Sequence, residues 1–313
     1  MTTPAPALIS VDWGTTSMRC ALLNDKGSAI KHRGAGPGIM RVSDGDFPGA
    51  LTAEIGDWRS KDPSLTVIMS GMIGSRQGWV EAPYLPCPAT ISEIARGIIP
   101  IDTVVLGRIH LIPGLAIDQP GQNPDVMRGE ETQIVGALQA DTDGTRIFVL
   151  PGTHSKWATT NNGAITGFAT YMTGEVFAAL RHHTILGRLM PQGETLFDPA
   201  AFDRGVAEGI TDGPPGALLH RLFSTRTLGL FDRLPAAALE SYLSGLLIGA
   251  EITAATQHGE AAPNAAITII GNDMLSERYL RATTALHRMA YLAPTDCAAR
   301  GHLALARAAK LVG

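Results

Sequence analysis

The sequence has few of the features that mark membrane, secreted or metal-cluster proteins. Its three cysteines, Cys20, Cys87 and Cys297, are too few and too far apart for a disulfide framework or a CxxC metal site. No uninterrupted apolar run approaches the roughly 18 residues that suggest a membrane-spanning helix. Residues 1–8 have neither a basic nor a long apolar segment, so a secretory signal peptide is not expected. We therefore expect a cytoplasmic protein without a membrane partner.

The chain also lacks a strong charge of either sign. Its formal net charge is -4 and its pI is about 6.1, which gives no electrostatic reason to expect binding to nucleic acid or to an anionic membrane. With 45% hydrophobic and 17% charged residues, the composition is typical of a globular protein, since disorder needs higher polarity. The 313 residues suffice for about two domains.

Several common motifs are missing as well. The sequence has no GxxxxGK[ST], which excludes a Walker-type phosphate loop, and no HExxH, GxSxG or cluster of cysteine and histidine. The glycines of residues 34–38 lack the GxGxxG spacing. A nucleotide or catalytic site must therefore be built from other elements.

A pattern of strand, Gly-Thr turn, strand, strand and helix occurs twice, and it predicts an α/β fold of two related lobes. The two copies are about 140 residues apart, far too long a period for a solenoid repeat. Turn-forming residues at 121–125 predict a boundary, giving lobes 1–126 and 127–294, with a last helix near 295–313 that packs back on the first lobe. The predicted segments are strands 7–13, 17–24, 28–33 and 65–69 with a helix after Asp46, then strands 146–150, 154–160 and 164–170 with a helix 174–186; later come helix 236–257, strand 266–270, a helix after Asp273 and strand 288–292.

The first Gly-Thr turn, residues 12–16, has the chemistry of a phosphate-binding loop. Gly14 lets a ligand approach the backbone, and the N–H groups and hydroxyls of Thr15 and Thr16 can donate to phosphate oxygens. Asp12, at the end of the preceding strand, is suited to hold Mg²⁺ beside those phosphates. The alternative is an ordinary hairpin in which these side chains satisfy local backbone groups.

The second Gly-Thr turn offers a similar set of donors. Gly152 and Thr153 form the turn, and Ser155 and Lys156 follow at once. A second anion-binding turn opposite the first would hold a polyphosphate from both sides of a cleft. For His154 the sequence favours a structural role, because no nucleophile and carboxylate are found with which it could form a catalytic set.

Two adjacent carboxylates, Glu130 and Glu131, begin a predicted helix. Acidic residues in a first turn are favoured by the helix dipole, which is one explanation for them. The other is that one carboxylate is the general base for a substrate hydroxyl. Adjacent helix residues point about 100° apart, so only one should face the site; the sequence leaves open which one.

A Gly-rich loop after the strand at 65–69 is suited to a small polar substrate. It contains Ser70, Arg76, Gln77 and Trp79, with arginine for a carboxylate, polar groups for hydroxyls and the indole for a sugar face. A surface loop with Trp79 packed on the core is the alternative.

Gly271 and Asn272 lie between a predicted strand and a predicted helix, a position where nucleotides often dock against the backbone.

Four segments together resemble a known superfamily: VDWGTTS at 11–17, MRGEETQ at 127–133, LPGTHSKW at 150–157 and TYMTGE at 170–175. In this order they are similar to the acetate and sugar kinase, heat-shock ATPase and actin superfamily, and within it to the 2-dehydro-3-deoxygalactonokinase family. The resemblance extends over nearly the whole chain. It implies two ribonuclease-H-like lobes with an ATP cleft between them.

The resemblance also implies roles for particular residues. It makes residues 12–16 and 152–156 the two phosphate elements and places Gly271 and Asn272 in the adenosine element, where Asn272 stands in place of the usual second glycine. The pair Glu130–Glu131 stands about twenty residues before the second turn, where related sugar kinases have a catalytic Asp. The residue 70 loop corresponds to one with sugar contacts.

The implied reaction is phosphorylation of 2-dehydro-3-deoxy-D-galactonate at the C6 hydroxyl, with ATP and Mg²⁺, in galactonate degradation. Two alternatives stay open: a phosphoanhydride hydrolase of the same superfamily, and a non-catalytic sensor of sugar acid or nucleotide. The sequence does not separate the galactonate from the gluconate epimer. It also leaves the oligomeric state open, with a homodimer as one option.

Overall fold

The structure of the protein is a computed structural model that describes residues 5–138, 142–193, 195–211, 213–214, 216–257, 265–271 and 273–313. Its contacts group the chain into two compact units. Unit 1 takes in the described residues of 1–144, 160–167 and 294–313, and unit 2 those of 145–159 and 168–293. The described residues of 127–144 thus group with unit 1, whereas the sequence pattern places them in the second lobe; the lobe boundary itself stays a prediction.

Unit 1 is built on a six-stranded sheet, within the described residues, in the order β3-β2-β1-β4-β7-β6, and a smaller sheet in the order β5-β8-β9. The first three strands are antiparallel neighbours, and β4 runs parallel to β1. The elements are β1 (Pro6–Trp13), β2 (Ser17–Asn24), β3 (Ala29–Pro37), α1 (Phe47–Lys61), β4 (Thr66–Ser70), β5 (Tyr84–Pro86), α2 (Ile91–Arg96), β6 (Ile99–Thr103), β7 (Gly107–Leu111), β8 (Gly114–Ile117), β9 (Asp125–Met127) and α3 (Glu130–Leu138).

The core of unit 1 lies between this sheet and α1. Asp46 caps the helix by accepting a hydrogen bond from the Gly49 N–H at 2.9 Å, and a proline occupies the first turn. Leu51, Ile55 and Trp58 are buried, which is the spacing of one helix face. They pack against strand residues of β1, β2 and β4 in one hydrophobic cluster, so the central strands and their ends are fixed by burial.

Unit 2 repeats the arrangement of strands and adds more helices. Its five-stranded sheet, again within the described residues, has the order β12-β11-β10-β13-β14, and β13 is parallel to both of its neighbours. The elements are β10 (Thr145–Leu150), β11 (Ser155–Asn161), β12 (Ala164–Tyr171), α4 (Thr173–His183), α5 (Pro199–Gly209), α6 (Ala217–Leu222), α7 (Ser224–Leu230), α8 (Leu239–Gln257), β13 (Ile267–Ile269), α9 (Asp273–Ala285) and β14 (Ala290–Leu292).

The last helix, α10 (Cys297–Ala308), belongs to unit 1. It packs so closely on α3 that a Cβ atom at Gly136 would overlap the Cys297 carbonyl, and one at Gly301 would overlap the Thr132 carbonyl. Only glycine permits such a contact between helix backbones. The position of α3, with its two glutamates, is therefore fixed by α10.

The predicted duplication is confirmed: β1-β2-β3-α1 and β10-β11-β12-α4 follow the same order. Sequence patterns alone did not predict β5 to β9, α2 or α5 to α7. A signal for α5 was present, because Asp198 precedes Pro199, the usual cap and first-turn residue of a helix; its carboxylate accepts from the Ala200 and Ala201 N–H groups. Among the described helices, none has both the length and the apolarity needed to cross a membrane.

Candidate active site

The first Gly-Thr turn joins β1 to β2 and presents two free amides. The Gly14 N–H donates to the Ser17 carbonyl at 2.9 Å and closes the turn, while the Gly14 carbonyl accepts from the Ile39 N–H at 3.1 Å. Thr15 and Thr16 are exposed, and their N–H groups have no hydrogen-bond partner among the described residues. The turn therefore offers adjacent donors on a rigid strand end, as an anion site requires.

Asp12 lies one residue before the end of β1 and is largely buried. Its side chain is 23% exposed, and the one cation near it in the described part of the chain is the Arg19 guanidinium, 4.0 Å away and itself 69% exposed. Burial raises the pKa of the Asp12 carboxyl, and the Arg19 charge opposes this only in part. A cation bound at this carboxylate would relieve the cost of its burial.

Backbone contacts bring the Glu130–Glu131 segment to the same end of β1. In the parallel pairing of β1 with β4, Asp12 lies opposite Ser70. A Cβ at Gly71 would lie 3.4 Å from the Asp12 Oδ1 atom, and a Cβ at Gly129 would lie 3.1 Å from the Gly71 Cα atom. Gly129 has φ of 107°, a conformation that favours glycine, and it is followed directly by the two glutamates.

The two glutamates differ sharply in exposure. Glu131 is 0% exposed; its carboxylate accepts from the Gly129 N–H at 2.7 Å and from the Thr132 hydroxyl at 2.9 Å. Burial, together with the nearby Glu130 charge, raises the pKa of Glu131 to about 8. Glu130 is half-buried, and its carboxylate accepts from the Arg128 N–H at 2.9 Å. Only Glu130 has surface with which to meet a ligand.

The four residues predicted to bind substrate lie in different surroundings: Ser70 is the last residue of β4, and Arg76, Gln77 and Trp79 follow in the loop after it. Ser70 is 1% exposed, and its hydroxyl lies 3.0 Å from the His302 Nε2 atom. The Arg76 side chain is 87% exposed and 3.5 Å from Glu81. Gln77 is exposed, and Trp79 is half-buried against the core of unit 1. Their substrate contacts stay predictions.

His302, which was not predicted from the sequence, links β1 to β4 in unit 1 through its buried imidazole. It is 0% exposed, and its Nδ1 and Nε2 atoms lie 2.7 Å and 3.0 Å from the hydroxyl oxygens of Ser10 and Ser70. Burial lowers its pKa to about 3, so the imidazole is neutral. A lone histidine in an alanine-rich helix carries no signal in the sequence that would reveal this bridge.

The second Gly-Thr turn, between β10 and β11, is anchored to α4. The Thr153 carbonyl accepts from the Glu175 N–H at 3.0 Å, and Thr153 is exposed. The side chains of the next two residues point inward: the Ser155 hydroxyl donates to Glu251 at 2.7 Å and the Lys156 ammonium to the Thr170 hydroxyl at 2.6 Å. The exposed His154 imidazole and the Glu175 carboxylate lie 2.6 Å apart.

Glu251, on α8, is the centre of a buried polar network that the sequence analysis also missed. It is 3% exposed and accepts hydrogen bonds, each of 2.7 Å, from the Ser155 hydroxyl, the Trp157 indole N–H and the Tyr279 hydroxyl. Burial raises its pKa, while these donors and Thr173 oppose the rise. The network ties the second turn to α8 and α9.

A cavity of about 380 Å³ lies in unit 2 beside the second turn, a size within the usual range of ligand sites. The cavity is lined by Gly152, Thr153, Thr173, Gly174, Phe177, Ser244, Leu247, Ile248, Leu275, Arg278 and Tyr279.

Two predictions about the nucleotide are not tested by the structure. Gly271 is exposed near the start of α9, while Asn272 lies outside the described residues, so its predicted role stays a prediction. That the two turns hold one nucleotide between them also stays a prediction of the sequence.

Comparison with known proteins gives consistent matches over most of the chain. The model of the 2-keto-3-deoxy-galactonokinase family matches residues 12–305. The chain is 37% identical over 279 residues to the 2-dehydro-3-deoxygalactonokinase of Escherichia coli K12, covering 89% of each chain.

Two solved structures show the same fold. A protein from Sinorhizobium meliloti, described under the 2-dehydro-3-deoxygalactonokinase name, superposes with a TM-score of 0.87 at 34% identity, covering 96% of this chain and 98% of that one. The activator of 2-hydroxyisocaproyl-CoA dehydratase from Clostridium difficile, solved with bound ADPNP, superposes with a TM-score of 0.51 at 11% identity, covering 97% of this chain and 94% of that one. The fold class is thereby confirmed as that of the actin-like ATPases and sugar kinases, and the family match and the relatives show that the chain belongs to the 2-keto-3-deoxy-galactonokinase family.

Proposed function

We propose that the protein transfers the γ-phosphoryl group of ATP to the C6 hydroxyl of 2-dehydro-3-deoxy-D-galactonate, giving the 6-phosphate and ADP in galactonate degradation. The observation that carries this is the family match over residues 12–305, which includes both turns and the glutamate pair. Family membership makes the protein a sugar-acid kinase, a phosphotransferase with an alcohol group as acceptor. Phosphoryl transfer depends mainly on positioning and charge stabilisation, which is what rigid turns supply.

The first turn binds phosphate oxygens through the free N–H groups and hydroxyls of Thr15 and Thr16, and Asp12 holds Mg²⁺ beside them. The buried Asp12 carboxyl with its raised pKa supports a cation there. In the described part of the chain, no group of three or more His, Cys, Asp or Glu side chains could hold a metal. This fits Mg²⁺, which is usually bound by one or two carboxylates together with substrate phosphates and water. When bound, the ion would neutralise charge that develops on the phosphates.

The nucleoside end of ATP binds in the cavity of unit 2. The second turn supplies Gly152 and Thr153 to its wall, and Arg278 and Tyr279 of α9 line it further along. Ser155 and Lys156 were predicted from the sequence to bind ATP. Because both side chains are buried and hydrogen-bonded within unit 2, they contribute by holding the conformation of the turn. Gly271 precedes α9, at the position that the family resemblance gives to the adenosine element.

Glu130 is the general base that accepts the proton of the C6 hydroxyl. A base must reach the substrate hydroxyl, and the partial exposure of Glu130 supports it over Glu131, which has none. Glu131, with a pKa of about 8, holds its proton at neutral pH and fixes the Gly129 backbone before the helix. The two adjacent carboxyls thus have different tasks.

The test is ADP release coupled to a reporter reaction, with 2-dehydro-3-deoxy-D-galactonate and its gluconate epimer as acceptors. We expect the sugar acid to stimulate ADP release and a phosphorylated acid to form. ATP hydrolysis to inorganic phosphate, equal with and without sugar acid, would indicate the phosphoanhydride hydrolase instead. Binding of sugar acid or nucleotide without turnover would indicate the sensor.

Two matched variants test the base. Glu130→Gln should lower kcat by roughly 100- to 10,000-fold, the usual contribution of a general base. Glu131→Gln replaces a neutral carboxylic acid by a neutral amide and should change kcat by less than about tenfold. Equal effects of the two substitutions on kcat would contradict the assignment.

A further inference from the structure

Arg128 is a buried cation that has no carboxylate partner in the described part of the chain. The residue is 7% exposed. Its Nη2 atom donates to the Ala82 carbonyl at 2.8 Å, and its guanidinium lies 4.2 Å from the centre of the Tyr84 ring. The Nε and Nη1 atoms are buried and have no hydrogen-bond partner among the described residues. Most of the donors of this side chain are therefore unsatisfied.

Such an arrangement is costly unless an anion completes it. A buried charge is normally paired, because removing it from water is unfavourable. The contact with the Tyr84 ring and the one hydrogen bond to a carbonyl offset only part of this desolvation cost. A guanidinium with free N–H groups is the side chain best suited to bind a carboxylate or phosphate. The missing partner has the chemistry of a small anion.

A second unsatisfied donor lies on the loop that Arg128 contacts. Ser75 is 9% exposed, and its hydroxyl has no hydrogen-bond partner within the described residues. It follows Gly74, where a Cβ atom would lie 3.0 Å from the Arg128 Nη1 atom. The loop that is predicted from the sequence to bind sugar thus approaches Arg128. Arg128 itself lies two residues before Glu130, the proposed base.

We propose that Arg128, together with Ser75, binds the C1 carboxylate of the sugar acid and so distinguishes acids from neutral sugars. The inference rests on the proposed function, which supplies an anionic substrate. Because the free N–H groups are buried, the loop between β4 and β5 must move away for the carboxylate to enter. Arg76, assigned to the carboxylate from sequence, is solvated and near Glu81, where an ion pair contributes little.

The discriminating experiment compares 2-dehydro-3-deoxy-D-galactonate with its neutral C1 amide as acceptors. The wild-type protein should prefer the acid. Arg128→Met should lower kcat/KM for the acid on the order of 100-fold, as loss of a buried charge partner does. The acid-to-amide ratio should fall towards one, while KM for ATP stays unchanged. Arg108→Met, at an exposed arginine bonded to Asp102, is the matched control and should keep the ratio.

Unfolding temperatures separate binding from a structural role. Removing an unpaired buried charge should leave the substrate-free Arg128→Met variant at least as stable as the wild type, whereas the stabilisation by saturating sugar acid should be lost. A less stable variant that keeps the acid-to-amide ratio would overturn the proposal. So would loss of the ratio in Arg76→Met with the ratio intact in Arg128→Met.

Ser75→Ala keeps the test decisive if Arg128→Met fails to fold. It removes one donor and no charge, so it should reduce the acid-to-amide ratio several-fold, roughly the value of one hydrogen bond to a charged group. An unchanged ratio in Ser75→Ala would overturn the proposal that Arg128 and Ser75 together bind the carboxylate. Failure of the wild-type protein to phosphorylate either acceptor would instead refute the proposed function.

Discussion

The two units support their Gly-Thr turns with buried groups of opposite chemistry. In unit 1, the neutral imidazole of His302 lies between the hydroxyls of Ser10 and Ser70, at 2.7 Å and 3.0 Å. In unit 2, the Glu251 carboxyl collects hydrogen bonds from Ser155 and from two aromatic side chains. Both groups are almost completely buried. Similar turns are therefore supported by unrelated networks of buried hydrogen bonds in the two units.

This difference gives the two buried networks opposite responses to pH. Burial lowers the pKa of His302 to about 3 from about 6.5, so its contribution to stability is complete above pH 6.5 and is lost as pH falls towards 3. Burial raises the pKa of Glu251, so its contribution is complete below about pH 4.5 and is lost as pH rises through the raised value. Falling pH should therefore weaken the contribution of the His302 network, and rising pH should weaken that of the Glu251 network.

The largest effect is expected from Glu251→Ala. It leaves the Ser155 and Tyr279 hydroxyls and the Trp157 indole N–H without this acceptor, and each unsatisfied buried group costs about 1–3 kcal/mol. We expect the free energy of unfolding to fall by about 3 kcal/mol or more. Urea denaturation followed by tryptophan fluorescence measures this. Glu251→Gln, which keeps one acceptor oxygen, should lose less; equal losses would mean that the network contributes little.

A smaller effect is expected from His302→Asn, and it should depend on pH. At pH 7 the variant loses part of the Ser10–Ser70 bridge and should be less stable by about 1–2 kcal/mol. The deficit should shrink between pH 6.5 and pH 5, because only the wild type must keep a histidine at position 302 deprotonated in order to fold. Urea denaturation at several pH values measures it. His32→Asn, at an exposed position of β3, is the control and should match the wild type at pH 7; a deficit constant across pH would contradict the account.

The smallest effects on stability are expected at the two turn glycines, Gly14 and Gly152. A Cβ atom would have no neighbour nearer than 3.6 Å at Gly14 or 3.9 Å at Gly152, so alanine fits the fold at either position. If phosphate approaches these backbones closely, Gly14→Ala and Gly152→Ala should raise KM for ATP about tenfold, or ~1.4 kcal/mol, with little change in unfolding temperature. Gly301→Ala, in the tight contact of α10 with α3, should show the reverse. An unchanged KM for ATP in either turn variant would refute close approach at that turn.

Local patterns predicted the repeated framework well. The alternation of residues 7–13, the Gly-Thr turns and the spacing of Leu51, Ile55 and Trp58 each depend on neighbours in the chain, and the structure confirms the strands and the helix that they predict. The strands β5 to β9 were missed; they have three to five residues each, too few to show a period. The equally short β13 was predicted because it lies in a continuous run of apolar and β-branched residues at 266–270.

The sequence predicted the locations of the candidate site better than the roles of individual side chains. Ser70, Ser155 and Lys156 are polar residues beside turns, and sequence gives no way to tell an inward from an outward side chain there. The structure buries all three. Conversely, Arg128 stands inside a predicted motif, yet its missing partner becomes visible only when the surroundings of its guanidinium are known.

The sequence by itself determined the two-fold repetition, the order of strands and helices within the repeated framework, and the family to which the motifs point, because these depend on periodicity and on short runs of residues. Tertiary structure alone decided which polar groups are buried and what they bond. The His302 bridge to Ser10 joins residues 292 positions apart, and Ser155 meets Glu251 across 96. Desolvation and hydrogen bonding act on such distant pairs only after the chain has folded, and they set which carboxyl, imidazole or guanidinium is charged, neutral or without a partner.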